Sequence, residues 1–229
     1  IVPPAEIVAG ARYHVCNILD RNKLQSILSR EQSSHLFHLA AKPRMDAVSW
    51  KDFPEILVGT QNVAQAFRLS SAAKRLINVS TQLVIAPKPG TFGMRDYDPY
   101  THYGSAKAQA EQSLDAASWP FEILHLRPTN IWGPHHPTYG ATILKYIRKR
   151  VYLQPSHADN VRRTYGYVKN SAMQIAELGF MPLEDRSILY IGDDVMKTGT
   201  YLDALSHALT QKPIIRVPGT PLWLLAQIG

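Results

Sequence analysis

The sequence predicts an α/β fold in which a parallel sheet is covered by helices, and three observations carry that expectation. Short apolar runs alternate with segments of helical periodicity over most of the chain. The composition is globular: 45% of the 229 residues are hydrophobic and 19% are charged, which is enough apolar surface for a sizeable core. The single cysteine, Cys16, cannot close an internal disulfide, and no cysteine cluster could hold structural zinc, so packing has to supply the stability.

The elements follow in order. Asp20 to Glu31 reads as a helix, with Leu24, Ile27 and Leu28 at helical spacing and Asp20 as its N-cap. His35 to Ala41 reads as a buried strand, and Phe53 to Leu69 as a crossover helix with Ile56, Val63, Ala66 and Phe67 along one stripe. Arg75 to Val79 and Phe121 to Leu126 are further apolar runs, separated by a polar loop and a helix from about Tyr103 to Ala117. Beyond Trp132 the pattern loosens. Gly133-Pro134 and Pro137 mark turns, and a helix is expected over Ala141 to Arg150, then a short strand near Tyr165 to Val168. A helix near Ser171 to Leu178, a strand at Ile188 to Ile191 and a helix at Tyr201 to Thr210 complete the pattern.

The formal net charge of +7 is compatible with a nucleic acid, an anionic surface or an anionic small molecule. The basic residues are scattered apart from Arg148-Lys149-Arg150 and Arg162-Arg163, and no nucleic-acid-binding motif organises them, so nucleic acid is not expected as a partner. Phosphates of a small molecule would use the same excess of donors. No apolar run is long enough to span a bilayer, and the first residues lack the pattern of a secretory signal, so a cytoplasmic protein with no membrane partner is expected. His135-His136 point apart in an extended segment and have no third ligand at useful spacing, so no metal is expected.

Tyr103-Gly-Ser-Ala-Lys107 puts a phenol and an ammonium one turn apart on one helix face. A tyrosine has a reference pKa of about 10, and a cation beside it favours the phenolate, which can exchange a proton with a substrate hydroxyl. The apolar run Leu76 to Val79 ends in two hydroxyl residues, Ser80 and Thr81, and the Tyr/Lys helix follows after a loop, so Thr81 can meet Tyr103. A bare Tyr-x-x-x-Lys is a weak signal, but a hydroxyl-ended strand before it raises its weight.

With these motifs in order, the sequence resembles the extended short-chain dehydrogenase/reductase family, also called the NAD-dependent epimerase/dehydratase family. Phe37-His-Leu-Ala-Ala41 is similar to the family's strand end along the cofactor, and Asn17-Ile-Leu-Asp20 to its Asp-Ile-x-Asp segment near the adenine, with Asn17 where Asp is usual. Ser80-Thr-Gln-Leu-Val-Ile85 resembles Ser-Ser-x-x-Val-Tyr. Arg127-Pro-Thr-Asn-Ile-Trp-Gly-Pro134 resembles Arg-Pro-x-Asn-x-Tyr-Gly-Pro, which lines the nicotinamide, and is the most specific match. Arg163-Thr-Tyr-Gly-Tyr-Val168 is similar to a segment whose arginine contacts substrate phosphate in nucleotide-sugar enzymes. Two departures stand out. No Gly-x-Gly-x-x-Gly phosphate loop appears near residue 1, Gly90-Thr-Phe-Gly93 does not replace it, and Ile56 to Thr60 lacks the asparagine usual before Gly-Thr.

The resemblance implies a Rossmann-type doubly wound sheet whose first strand-helix-strand unit is absent from the given chain. Residues 1–134 would be the dinucleotide-binding core and 135–229 mostly the substrate-binding part, with about 164–180 returning to the core. It implies Thr81, Tyr103 and Lys107 as catalytic residues. Asn17, Ile18, Leu39, Ala40, Ala41, Val79, Tyr103, Lys107, Pro128 and Thr129 would bind the cofactor, NAD with NADP left open, and Thr81, Asn130 and Arg163 the substrate. Gln82-Leu83 stands where sugar dehydratases carry Asp-Glu, which disfavours water loss. The expected activity is therefore an epimerase or oxidoreductase acting on a nucleotide sugar, in a homodimer. A carbonyl reductase or hydroxysteroid-type dehydrogenase is the runner-up, and a non-catalytic dinucleotide sensor comes third.

Overall fold

The computed structural model describes residues 7–42, 47–88, 93–136, 139–183 and 187–218. Most of the Gly90 to Gly93 loop, and Pro137, lie outside the described residues. The chain forms two compact units, one built up to Pro128 and again over Ile175–Tyr190, the other over Thr129–Gln174 and from Ile191 on.

The first unit opens with α1 (Arg21–Glu31), whose first turn is closed by Asp20 accepting from the Lys23 amide, as its sequence position requires. β1 (His35–His38) is shorter than the apolar run that predicts it. It stops at His38, and Leu39 and Ala40 beyond it are exposed, so they have no apolar neighbour to hold them in the sheet. α2 (Pro54–Phe67) starts on a proline at its first position and buries Ile56, Val63, Ala66 and Phe67, the expected stripe. β2 (Arg75–Val79), α3 (His102–Asp115) and β3 (Glu122–Pro128) follow.

β1 pairs with β2 and β2 with β3, both parallel, so that His38 stands beside Asn78 and Asn78 beside His125. Such strands are covered on both faces, which is why Leu76, Ile77, Leu124 and Leu126 are all fully buried. Below them Val63, Phe67, Leu114 and Phe121 form the principal core against Leu24.

The remaining elements are β4 (Asn130–Trp132), α4 (Lys145–Arg148), β5 (Leu153–Pro155), β6 (Arg162–Tyr167), α5 (Val168–Phe180), β7 (Ile188–Ile191), β8 (Val195–Lys197), α6 (Thr198–Thr210) and β9 (Ile215–Val217). β7 extends the main sheet to the order β1-β2-β3-β7, while β4-β6-β8 and β5-β9 form small sheets. The helix expected over Ala141 to Arg150 is α-helical only over α4, because Tyr139–Leu144 winds with the wider π spacing and Arg150 takes a positive φ of 58°. In the second unit, Ile147, Tyr165, Tyr201, Leu202 and Ile214 make the core, with the Tyr165 and Tyr201 rings stacked at 3.8 Å. No helix among the described residues is long and apolar enough to cross a membrane.

Candidate active site

Parallel strands deliver their C-terminal ends to one edge of the sheet, and there β2 runs out through Val79 into Ser80 and Thr81. Thr81 is buried and caps the short 3-10 turn Gln82–Val84, its Oγ1 accepting from the Leu83 amide at 3.3 Å. α3 then comes back against this turn. Thr101 caps α3, its Oγ1 accepting from the Gly104 amide at 2.9 Å, which places Tyr103 in the first turn and Lys107 one turn on. The approach is close: a Cβ added to Gly104 would collide with the Leu83 carbonyl oxygen. Only a residue with no side chain lets the tyrosine-bearing turn lie so near the strand end.

The Tyr103 ring packs edge-on to Phe53 at 5.9 Å. Burial pushes its phenol above the ordinary value. The sequence leads one to expect that the Lys107 ammonium lowers it, but here that ammonium donates to the Val79 carbonyl at 2.8 Å, so the phenol does not gain the charge. Lys107 is 3% exposed, and burial brings its pKa down to about 8, opposed by the Glu111 carboxylate. One of its three donors is thus committed to the backbone. The Ser80 Oγ is buried with no hydrogen-bond partner among the described residues, an orphaned polar atom next to Thr81.

Two further groups belong to this neighbourhood, and neither is among the residues the motifs single out. His38 at the end of β1 is buried, shares a hydrogen bond of 3.0 Å with Thr60 Oγ1, and is held down to about 4 by burial and by the Lys107 charge. Glu111, one turn beyond Lys107, is fully buried and takes Arg127 through both oxygens, from Nε at 3.2 Å and Nη2 at 2.7 Å. Arg127, which opens the motif that supplies Pro128 and Thr129, is sealed in the core. Extending Tyr-x-x-x-Lys by another four residues to the glutamate is the signal that could have found Glu111, since i+4 keeps all three on one face.

The other expected residues are placed as follows. Val79 is half-buried and Pro128, ending β3, is buried. Asn17 caps its own turn, its Oδ1 accepting from the Leu19 amide at 3.0 Å, while Ile18 packs on the principal core and its carbonyl accepts from Asn62 Nδ2 at 3.1 Å. Ala41 packs in the cluster of Phe53, Ile56 and Tyr103, whereas Leu39 is 57% exposed. Thr129, Asn130 and Arg163 belong to the second unit, where the Thr129 hydroxyl donates to the Thr164 carbonyl at 2.6 Å and Arg163 stands exposed on β6 opposite Met196. No group of three or more His, Cys, Asp or Glu that could hold a metal occurs among the described residues.

A Rossmann-type sheet whose second strand ends in hydroxyls, facing a helix with tyrosine and lysine one turn apart, defines an α/β protein of the short-chain dehydrogenase type. The sequence model of the NAD dependent epimerase/dehydratase family matches residues 3–176, and the chain belongs to that family. No curated protein sequence is similar enough to count as a match. Among solved structures, the Thermus thermophilus UDP-glucose 4-epimerase complex with NAD is similar at a TM-score of 0.70 and 21% identity, covering 96% of this chain and 80% of that one. The Thermotoga maritima UDP-glucose 4-epimerase with UDP-glucose gives a TM-score of 0.75 and 18% identity over 93% of this chain and 73% of that one. The dTDP-4-dehydrorhamnose reductase of Bacillus anthracis in complex with NADP gives 0.72 and 18% identity over 90% and 73%. At such identities the likeness is one of fold.

Proposed function

We propose that this chain serves an NAD-dependent epimerase or oxidoreductase that acts on a hydroxyl or keto carbon of a nucleotide sugar. The observation that carries the reading is the close approach of the Tyr103- and Lys107-bearing helix to the end of β2, where Lys107 donates to the Val79 carbonyl and Thr81 caps the next turn. In this reading the first unit binds the dinucleotide and the second the substrate. The fit on the nicotinamide side rests on Lys107, a buried ammonium with donors beyond the one given to Val79, and on the orphaned Ser80 hydroxyl nearby.

Bound there, NAD would supply hydride acceptance and return. As its phenolate, Tyr103 would take the proton of the substrate hydroxyl and later return it; burial favours the protonated phenol, so a nearby positive charge is needed for Tyr103 to act as the base. Lys107 would supply that charge, and its donors beyond the one given to the Val79 carbonyl would be the ones to hold the cofactor ribose. The Thr81 hydroxyl steadies the substrate oxygen as its charge changes, and Arg163 pairs with substrate phosphate. Support for the substrate class comes from the structural neighbour crystallised with UDP-glucose. A reductase is the second reading, favoured over a non-catalytic dinucleotide sensor by the similarity to a dTDP-4-dehydrorhamnose reductase.

The test is interconversion of UDP-glucose and UDP-galactose in the presence of NAD, with calorimetric titration of UDP alongside. Tyr103→Phe should abolish turnover while leaving UDP binding within about twofold, because only the proton carrier is lost. Turnover like that of the unmutated chain would overturn the role of Tyr103, and absence of UDP binding at millimolar concentration would overturn the nucleotide-sugar class.

A further inference from the structure

Lys107 and Glu111 lie one turn apart on α3, and both are buried. Both oxygens of the Glu111 carboxylate are engaged: Arg127 holds them from Nε and Nη2, and the Tyr97 hydroxyl donates to Oε2 at 3.0 Å. Arg127 is itself clamped, with Nη1 donating to the Tyr190 hydroxyl at 3.0 Å and its guanidinium 5.3 Å and 5.5 Å from the Tyr97 and Tyr190 rings. Glu111 therefore reaches Lys107 as a fixed charge across one helical turn rather than through a hydrogen bond.

Lys107 is faced by groups from several elements. β2 offers the Val79 carbonyl, β1 the His38 ring and α3 the Glu111 carboxylate, while the Tyr103 phenol lies one turn before Lys107 on α3. His38 stays neutral throughout the neutral range and the phenol is held protonated by its burial, so Glu111 is the anion that faces the ammonium among the described residues. Two cations, Lys107 and Arg127, thus share one carboxylate where water is excluded. A guanidinium does not give up its proton, so a shortage of negative charge falls on Lys107.

We propose that Glu111, locked in place by Arg127 and Tyr97, is a positioning residue that keeps Lys107 protonated at neutral pH. Glu111 itself touches neither substrate nor cofactor. The proposal deepens the reading of Lys107 as the cation of the site, yet the charge state of Lys107 can be measured whether or not that reading holds.

The experiment is an NMR titration of the full chain labelled at lysine Cε, with the Lys107 signal identified by its loss in Lys107→Arg. The unmutated chain should titrate near pH 8. Glu111→Gln should lower the proton affinity of Lys107 by about tenfold, about one pH unit. That single change strands the Arg127 charge and can unfold the protein, so Glu111→Gln with Arg127→Gln, a neutral amide pair of similar shape, is measured as well. Its midpoint should fall by about threefold or more in proton affinity, because the nearer charge on α3 is the carboxylate. A Lys107 midpoint within about 0.2 pH units of the unmutated chain in the variant that folds would overturn the proposal. Should turnover of UDP sugars be absent altogether, the functional reading fails while the titration still decides the role of Glu111.

Discussion

Two arginines of this molecule each hold a carboxylate through two nitrogens, one fully buried and the other partly exposed. Arg127 in the first unit meets Glu111 through two nitrogens and is fully buried with it. Arg216 in the second unit meets Asp203 through two nitrogens, at 3.1 Å and 2.7 Å, and Asp159 through a third, but its side chain is 34% exposed. Both guanidinium groups are held above their ordinary pKa. For Arg127 burial works against the charge and the bonds to Glu111 overcome it, whereas for Arg216 the hydrogen bonds to Asp203 lead. Equal geometry does not mean equal consequence. Water can replace a lost partner at Arg216 and cannot at Arg127, so the cost of breaking each pair lies in the charge left behind.

The largest expected effect follows directly. Arg127→Met leaves the Glu111 carboxylate buried without its cation and should lower stability by about 3–5 kcal/mol, read from urea unfolding. Adding Glu111→Leu should recover most of the loss, because an apolar pair of similar volume removes the stranded charge. If the double variant is no more stable than the single one, the loss came from packing and the contrast with Arg216 is wrong.

A smaller effect concerns a buried group whose partner is a neutral hydroxyl. His38 has its pKa lowered from 6.5 to about 4 in the folded chain. The unfolded chain takes up that proton first, so the contribution of His38 to stability is whole above about pH 6.5, falls between there and about pH 4, and is gone below. At about 1.4 kcal/mol per pH unit, roughly 3 kcal/mol is lost over this window. Urea midpoints measured across it should fall steeply in the unmutated chain and less in His38→Gln. Parallel curves would show that His38 does not resist protonation in the fold.

The smallest effect is at the exposed pair. Arg216→Ala should cost about 1 kcal/mol or less, and the difference should shrink in about 1 M salt as screening weakens the interaction. A loss as large as that of Arg127→Met would mean that Arg216 is far drier than its exposure indicates.

Legibility follows the length and regularity of each element. α2 is announced by a four-residue apolar stripe, and α1 by its periodicity and the Asp20 cap. β4, β5, β8 and β9 span three residues each, too short for any alternation to register in the sequence. His35 to Ala41 is apolar along most of its length, yet only the part that finds a neighbour in β2 becomes strand. In the candidate site, Thr81, Tyr103 and Lys107 can be named from the sequence, through motifs that resemble the family's rather than through spacing alone. Gly104 cannot, because its need arises from the Leu83 carbonyl, which a different part of the chain brings against it.

By itself the sequence determined α1 with its Asp20 cap, the buried stripe of α2, the hydroxyl-ended strand and the phenol and ammonium on one helix face, since each depends on residues near one another in the chain. Only the tertiary structure decided what those groups meet. It set Lys107 on the Val79 carbonyl and beside a neutral His38, and it closed Arg127 onto Glu111 in the core. The physical reason is that the proton affinity of a buried group depends on desolvation and on charges brought near by packing, and neither is written in local spacing.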